Sequence, residues 1–183
     1  MIEEAPESPV VYENDYLTFI PLENGSFGLK SQTGETISAN TYSYSTDSGQ
    51  TWTTLRAGQH TGTIIKGHKV MWKWSGNSPL VFDQIGMCQF ESSGRFNVEG
   101  NVMSLLYGDD YEGEINLSGK QFAFHELFYG CTNLISAENL LLPATTLVGD
   151  CYEEMFGGCT SLTKAPSLPA TTLAPACYFG MFA

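Results

Sequence analysis

From residue 12 to about 107 the chain alternates apolar and polar positions in short bursts separated by turn-forming residues. Tyr16, Thr18 and Ile20 alternate with Leu17 and Phe19, and after Pro21 comes Asn24-Gly25, a strong hairpin signal that predicts a return strand over 26–30. Residues 42–45 alternate, turn at Asp47-Ser48-Gly49 and return through 52–55; 61–66 and 69–74 are joined near Gly67-His68; 95–98 and 101–107 are joined at Glu99-Gly100. No stretch in this part sustains a helical period. Short strands with turn signals at this spacing predict an antiparallel, immunoglobulin-like β-sandwich over 12–101.

From Ser118 the texture changes. Ser118-Gly119-Lys120-Gln121 reads as a capping box, and Phe124, Leu127 and Phe128 follow at helical spacing. The chain then repeats itself. LPATTL stands at 142–147 and again at 168–173, 26 residues later, and Cys151-Tyr152 recurs as Cys177-Tyr178. Phe128-x-Gly130-Cys131-Thr132-x-Leu134 returns as Phe156-x-Gly158-Cys159-Thr160-x-Leu162 at a spacing of 28, because the stretch from Cys131 to Leu142 is two residues longer than that from Cys159 to Leu168. Such a period marks a solenoid, in which one supersecondary unit cannot bury its apolar face alone. A shift of 28 sets Phe124 on Tyr152, Phe128 on Phe156 and Leu106 on Leu134. The expectation is a degenerate first repeat over 102–130, then repeats over 131–158 and 159–183. Each unit is a short strand around Leu106, Leu134 or Leu162, a Pro-led turn, and a short helix ending at Phe128, Phe156 or Phe182. Solenoids present extended surfaces, so the period points to binding rather than chemistry.

The pattern MFxGCTSLTxAPxLPATTLxxxCYxxMF, spread over 155–182, resembles the BspA-like leucine-rich repeats of bacterial cell-surface proteins, and 94–108 resembles the entry into such arrays. The resemblance covers roughly 119–183. It implies surface display and adhesion to a protein or glycan partner, on a strand-plus-short-helix leucine-rich-repeat solenoid. The whole chain is therefore expected to be mainly β with short helices.

Charge narrows the partners. The net charge is −12 with only eight Lys plus Arg, so the basic stripe that nucleic acid or an anionic membrane surface requires is missing. No apolar run reaches the ~18 residues of a membrane span. Residues 1–11 are acidic and contain proline, with no charged-then-apolar leader, and are expected to be disordered or extended. With the surface-protein resemblance, this suggests a secreted or cell-surface protein whose signal lies outside this sequence. The uncharged ending Cys177-Tyr178-Phe179-Gly180-Met181-Phe182-Ala183 suggests a repeat array cut short, able to self-associate through that face. Four of the five cysteines, Cys131, Cys151, Cys159 and Cys177, sit at repeat spacing, without a C-x-x-C pair or zinc-type ligand set. They are expected as an inward ladder of free thiols, and Cys88 as packed in the first domain.

Several strings could carry chemistry. Ser45-Thr46-Asp47-Ser48-Gly49-Gln50-Thr51-Trp52 resembles the Asp-box of sialidase propellers, a hairpin-stabilising motif; a sialidase also needs several boxes and an arginine cluster, and only Arg56 and Arg95 are present. Trp72 and Trp74 share one strand face, where period-2 alternation makes them core, or, if exposed, platforms for sugar rings. Asp109, Asp110 and Glu112 form an acidic loop that is a weak metal candidate, without EF-hand spacing. His60, His68 and His125 are isolated and expected at the surface. No nucleophile elbow, Walker motif or dinucleotide fingerprint occurs. Taken together, a non-enzymatic adhesion protein without cofactor is expected. The alternatives are a carbohydrate-binding or carbohydrate-active module using Trp72, Trp74 and the Asp-box hairpin, and a structural spacer.

Overall fold

A computed structural model describes residues 15–30, 40–77, 80 and 88–183; the acidic stretch expected over 1–11 lies outside them. The structure is mainly β with one short α-helix. Its strands are β1 (Leu17–Pro21), β2 (Phe27–Leu29), β3 (Tyr42–Ser45), β4 (Thr53–Leu55), β5 (Val70–Trp74), β6 (Phe90–Ser92), β7 (Phe96–Asn101) and β8 (Leu134–Leu141). Helix α1 (Ser104–Tyr107) follows β7, and a single 3-10 turn (Gly108–Asp110) follows α1. Six strands form one sheet in the order β4-β3-β5-β1-β7-β8, and β2 pairs with β6 alone. All pairs are antiparallel except β7 with β8.

The alternation read from the sequence decides which face is buried. Register pairs Leu17 with Trp72, Phe19 with Val70 and with Val98, and Tyr44 with Trp72, so these side chains share the inner face. Phe27 and Phe90 of the two-stranded sheet close over that face. Phe19 lies 5.2 Å from Phe27, 4.9 Å from Phe90, 5.1 Å from Phe96 and 5.4 Å from Trp72, centroid to centroid. The outer face carries Thr18, Ser43, Met71, Lys73 and Glu99. Ser104 is fully buried and ties α1 to the sheet, its hydroxyl accepting from the Leu17 N–H at 3.1 Å and donating to the Trp72 carbonyl at 2.8 Å.

The expected hairpin over β3 and β4 forms, Tyr42 opposite Leu55. Other elements differ from expectation. Asn24-Gly25 does not close a hairpin: β1 pairs with β5 and β7, and β2 with β6, so the chain crosses here from one sheet to the other. Residues 61–66 form no strand, and Ile64 makes one isolated bridge, to Gly25. Glu99-Gly100 is not a turn, since β7 runs through it. Gly100 is required because its φ is +81° and a Cβ there would collide with the Tyr16 carbonyl. Leu106 lies on α1 rather than on a strand, and around Leu162 only Ser136 to Lys164 is paired.

The segments expected as helices are runs of four-residue turns. Phe122, Glu126 and Gly130 have φ of 59°, 53° and 68°; Asp150, Glu154 and Gly158 have 59°, 48° and 68°; Ala176 and Gly180 have 52° and 58°. A left-handed residue at every fourth position excludes an α-helix. The capping box fails for the same reason, Gly119 having φ +77°. The peptide N–H groups between turns point along the stack. Those of Phe124, Glu126, Phe128 and Gly130 donate to the carbonyls of Cys151, Glu153, Met155 and Gly157 at 2.7–2.9 Å. Those of Tyr152, Glu154, Phe156 and Gly158 donate in turn to Cys177, Phe179, Met181 and Ala183 at 2.8–3.0 Å. The Thr of the LPATTL motif keeps the same order on the other side, Asn116 bridging Thr146 and Thr146 bridging Thr172.

Rings follow the backbone. Phe124 stacks on Tyr152 at 5.3 Å and 10°, Phe128 on Phe156 at 5.5 Å and 10°, Tyr152 on Tyr178 at 5.6 Å and 9°, and Phe156 on Phe182 at 5.5 Å and 0°. This is the pairing the repeat register requires. The sheet crosses residue 101 without interruption, because β8 belongs to the repeats and pairs with β7, and one apolar core runs from Leu17 to Met181.

Candidate functional site

The residues singled out from the sequence divide between those used inside the fold and those left at its surface. Trp72 has 0% exposure and packs on Phe19, Tyr44 and Phe90, so it offers no face to a sugar ring. Trp74 is half-buried and packed against the same core. The indoles were placed correctly on one strand face, but as a saccharide platform Trp72 is excluded by burial.

The Asp-box closes its hairpin from within. The Ser45 hydroxyl donates to Asp47 Oδ1 at 2.7 Å, and the Thr51 N–H and hydroxyl donate to the two Asp47 carboxylate oxygens at 2.9 and 2.6 Å. The Gly49 N–H reaches the Ser45 hydroxyl at 2.9 Å, and the Trp52 indole N–H reaches the Gly49 carbonyl at 3.0 Å. Hydrogen bonds to the charged form, those from Thr51 first, hold the Asp47 carboxyl at about 2. The polar groups of Ser45, Asp47, Thr51 and Trp52 are thus engaged within the turn.

In the acidic loop, Asp109 is taken by Lys73, whose ammonium donates to both carboxylate oxygens at 2.6 and 2.8 Å, and by the Tyr16 hydroxyl at 2.7 Å. These donors lower its pKa, the Lys73 hydrogen bond first. Lys73 also lies 4.2 Å from the centre of the Trp52 ring, so the loop is clamped to the Asp-box hairpin. Among the described residues no group of three or more His, Cys, Asp or Glu side chains is placed to hold a metal ion, Asp109, Asp110 and Glu112 included.

All five cysteines are free and buried. Cys131 donates to the Phe90 carbonyl at 2.8 Å, and its repeat equivalent Cys159 to the Phe128 carbonyl at 3.0 Å. Burial pushes the thiols of Cys88 and Cys131 up to about 12 and those of Cys151 and Cys159 to about 11, so they are protonated and unreactive at neutral pH. His125 is not at the surface as expected. Its side chain is 12% exposed, with Nε2 3.9 Å from Glu126 and 3.8 Å from Glu153 of the next turn segment. Among the described residues, no helix is long and apolar enough to cross a membrane.

Comparison with protein-family models, curated proteins and solved structures gave no match.

Open hollows formed by the described residues include the following. One of about 440 Å³ lies on the outer sheet face, lined by Thr18, Thr46, Ser48, Lys69, Met71 and Glu99. Glu99 is nearly buried and paired with Lys69 at 2.5 Å. Trp72, next to Met71 on β5, points to the opposite face. A second hollow, of about 300 Å³, lies at the last layer beside Phe156, Leu162 and Phe182. The third, of about 340 Å³, is an apolar groove with Leu140, Leu142 and Pro143 in its floor, Ile115 on one side, and Ser167 and Pro169 on the other. Ile115 is 49% exposed, and Leu168 and Leu173 are also exposed nearby in the sequence. Leu142, Pro143 and Pro169 belong to the LPATTL motifs, but no groove residue was read from the sequence as part of a binding surface. The signal was nonetheless there, in the two-residue difference between 131–142 and 159–168.

Proposed function

We propose that this chain is a non-enzymatic binding module, displayed at a cell surface or secreted, in which an immunoglobulin-like β-sandwich leads into a BspA-like leucine-rich-repeat solenoid. The sandwich shields the first apolar edge of the array, and the exposed repeat face meets a protein or glycan partner. The observation that carries this reading is the groove over Leu140, Leu142 and Pro143. It is an apolar concavity on the outside of the stack, continuous with exposed Ile115, of the kind that marks interaction sites. Self-association through the last layer belongs to the same reading, because Phe182 and the hollow beside it are open. Sedimentation velocity at rising protein concentration tests that part.

The decisive experiment is binding of the labelled chain to arrays of extracellular-matrix proteins and glycans, with Ile115→Glu as control. Binding lost in that variant at unchanged melting temperature supports the reading. Turnover of a glycoside panel by the purified chain would replace it with the carbohydrate-active alternative. A carbohydrate-binding role has one supporting observation, the polar hollow by Lys69 and Glu99; glycan binding abolished by Lys69→Ala and unaffected by Ile115→Glu would favour it. A chain that binds neither array would act as a spacer.

A further inference from the structure

We propose that Asn116 is a glycan attachment site, whose side-chain amide nitrogen takes an N-linked oligosaccharide from a lipid-pyrophosphate carrier. The inference rests on the cell-surface or secreted part of the reading above, because such acceptors belong to the surface loops of exported proteins, and it adds a modification to that reading.

The sequence holds two Asn-x-Ser/Thr acceptor triplets without proline in the middle, Asn24-Gly25-Ser26 and Asn116-Leu117-Ser118. The chemistry makes two demands of such a triplet. The asparagine nitrogen must reach the sugar, and the hydroxyl two residues on must be open to the transferase that recognises it. The structure separates the two triplets on both counts.

At Asn24 the polar atoms hold segments together. Its Oδ1 accepts the Lys66 N–H at 2.9 Å, and the Gly25 N–H donates to the Ile64 carbonyl at 3.1 Å. The Ser26 hydroxyl lies 3.2 Å from that of Ser93, which also accepts the Ser26 N–H at 2.8 Å. A Cβ on Gly25 would sit 2.9 Å from the Gly94 backbone, so the middle of this triplet is closed in by chain.

At Asn116 the arrangement is local. Leu117 is fully buried, and its N–H donates to the Thr146 carbonyl at 3.0 Å. Asn116 and Ser118 on either side of it are exposed. The triplet is thus anchored by its apolar member and presents the two reactive ones to solvent. The Asn116 Oδ1 accepts the Ser118 N–H at 2.8 Å, forming an Asx turn. Only the oxygen of the amide can accept from a peptide N–H, so this bond leaves Nδ2 on the other side of Cγ. Neither Asn116 Nδ2 nor the Ser118 hydroxyl has a hydrogen-bond partner among the described residues. In the transfer, Nδ2 bonds to C1 of the first sugar and gives up one proton. The bond from C1 to the pyrophosphate oxygen breaks, and the polyprenyl diphosphate leaves with the electron pair. Oδ1 takes no part, so the Asx turn survives in the product. Ile115, the preceding residue, lines the apolar groove, which places the sugar at the groove's rim.

The test incubates the folded full chain with a lipid-pyrophosphate-linked oligosaccharide and a single-subunit oligosaccharyltransferase that requires only the Asn-x-Ser/Thr triplet. Occupancy at each asparagine is read by peptide mass spectrometry. Asn116 should be modified about tenfold or more faster than Asn24, where the hydrogen bonds to Lys66 and Ser93 must first open. Asn116→Asp keeps an oxygen for the Ser118 N–H and lacks the nitrogen, so it should abolish modification at 116 with the melting temperature unchanged. Ser118→Ala should abolish it too, and Ser118→Thr should retain it. Equal rates at the two asparagines, no occupancy at Asn116, or modification of Asn116 that survives Ser118→Ala overturns the proposal. An unmodified chain that still binds matrix proteins or glycans removes the attachment site while leaving the binding-module reading in place.

Discussion

The two halves of this molecule fill their interiors in opposite ways. Around β1 the rings meet at open angles: Phe19 with Phe90 at 82°, Phe27 with Phe96 at 76°, Phe19 with Trp72 at 45°. In the repeats every stacked pair lies within 10° of parallel. Tilted and edge-on contacts are what unlike neighbours from different strands settle into, and nearly superimposed rings are what translation of one unit produces. The junction is intermediate: Phe90 of β6 lies over Phe128 at 24° and 5.8 Å. Phe90 thus takes the place of a ring preceding the first layer.

The contrast can be broken at its centre. Phe19 touches rings from both sheets and from Phe128 of the first repeat, so Phe19→Ala should cost about 4–5 kcal/mol, the upper part of the range for buried aromatics. Urea denaturation followed by fluorescence and by circular dichroism should show both halves melting together. Separate transitions would mean that the halves fold independently. Phe156→Ala should come next, at about 3–4 kcal/mol, because Phe156 is buried between Phe128 and Phe182. Phe182 stacks on one side only and is 48% exposed, so Phe182→Ala should cost about 1 kcal/mol. Equal losses at 156 and 182 would contradict a stack in this register.

Much of this was legible because identical residues recurred. The ring pairs of the repeats follow from aligning Phe128 with Phe156, and the β3–β4 hairpin from the Asp-box. The turn segments were not legible as turns. Phe124, Leu127 and Phe128 recur at three and four residues, and a run of four-residue turns spaces its apolar side chains much as a helix of 3.6 residues does. Glycine at 130, 158 and 180 hinted at the difference, but Phe122, Glu126 and Glu154 occupy equivalent left-handed positions without any such mark. Asn24-Gly25 and Glu99-Gly100 failed for another reason. A turn signal reports local backbone freedom, not which strand will be the neighbour, and Gly100 is needed for the approach of Tyr16. The groove required comparing two lengths, with no residue type to advertise it.

Two smaller effects sharpen the comparison. Gly158 has φ +68°, and an added Cβ would sit 3.4 Å from the Gly130 Cα of the layer before, so Gly158→Ala should cost about 1–2 kcal/mol by thermal melting. No cost would mean that the turn stack tolerates side chains at all its left-handed positions. The smallest effect belongs to the hairpin. Asp47 is held at about 2, below its usual 3.8, so its contribution is complete above the unfolded value and is lost as pH falls from there through about 2. Asp47→Asn should remove that acid-limb dependence, read from the Thr51 amide resonance during a pH titration. A wild-type Thr51 resonance that shifts with a midpoint near 3.8 would show that the carboxylate is not held.

The hydrogen bonds between successive turn segments run the same way, from an N–H of the earlier segment to a carbonyl of the later one. Peptide dipoles in a sheet alternate and largely cancel, but these are aligned head to tail, as in a helix. The stack therefore behaves as an electret with its negative pole at the first turn segment and its positive pole at the last. The negative pole is answered within the chain. The Leu127 carbonyl accepts the Phe90 N–H at 2.9 Å, and the Tyr129 carbonyl accepts the Lys30 ammonium. At the other pole the N–H groups of Tyr178, Gly180 and Phe182, equivalent to donors of the earlier layers, have no acceptor among the described residues. A strongly acidic protein thus has one surface with a positive backbone field, directed along the stack axis.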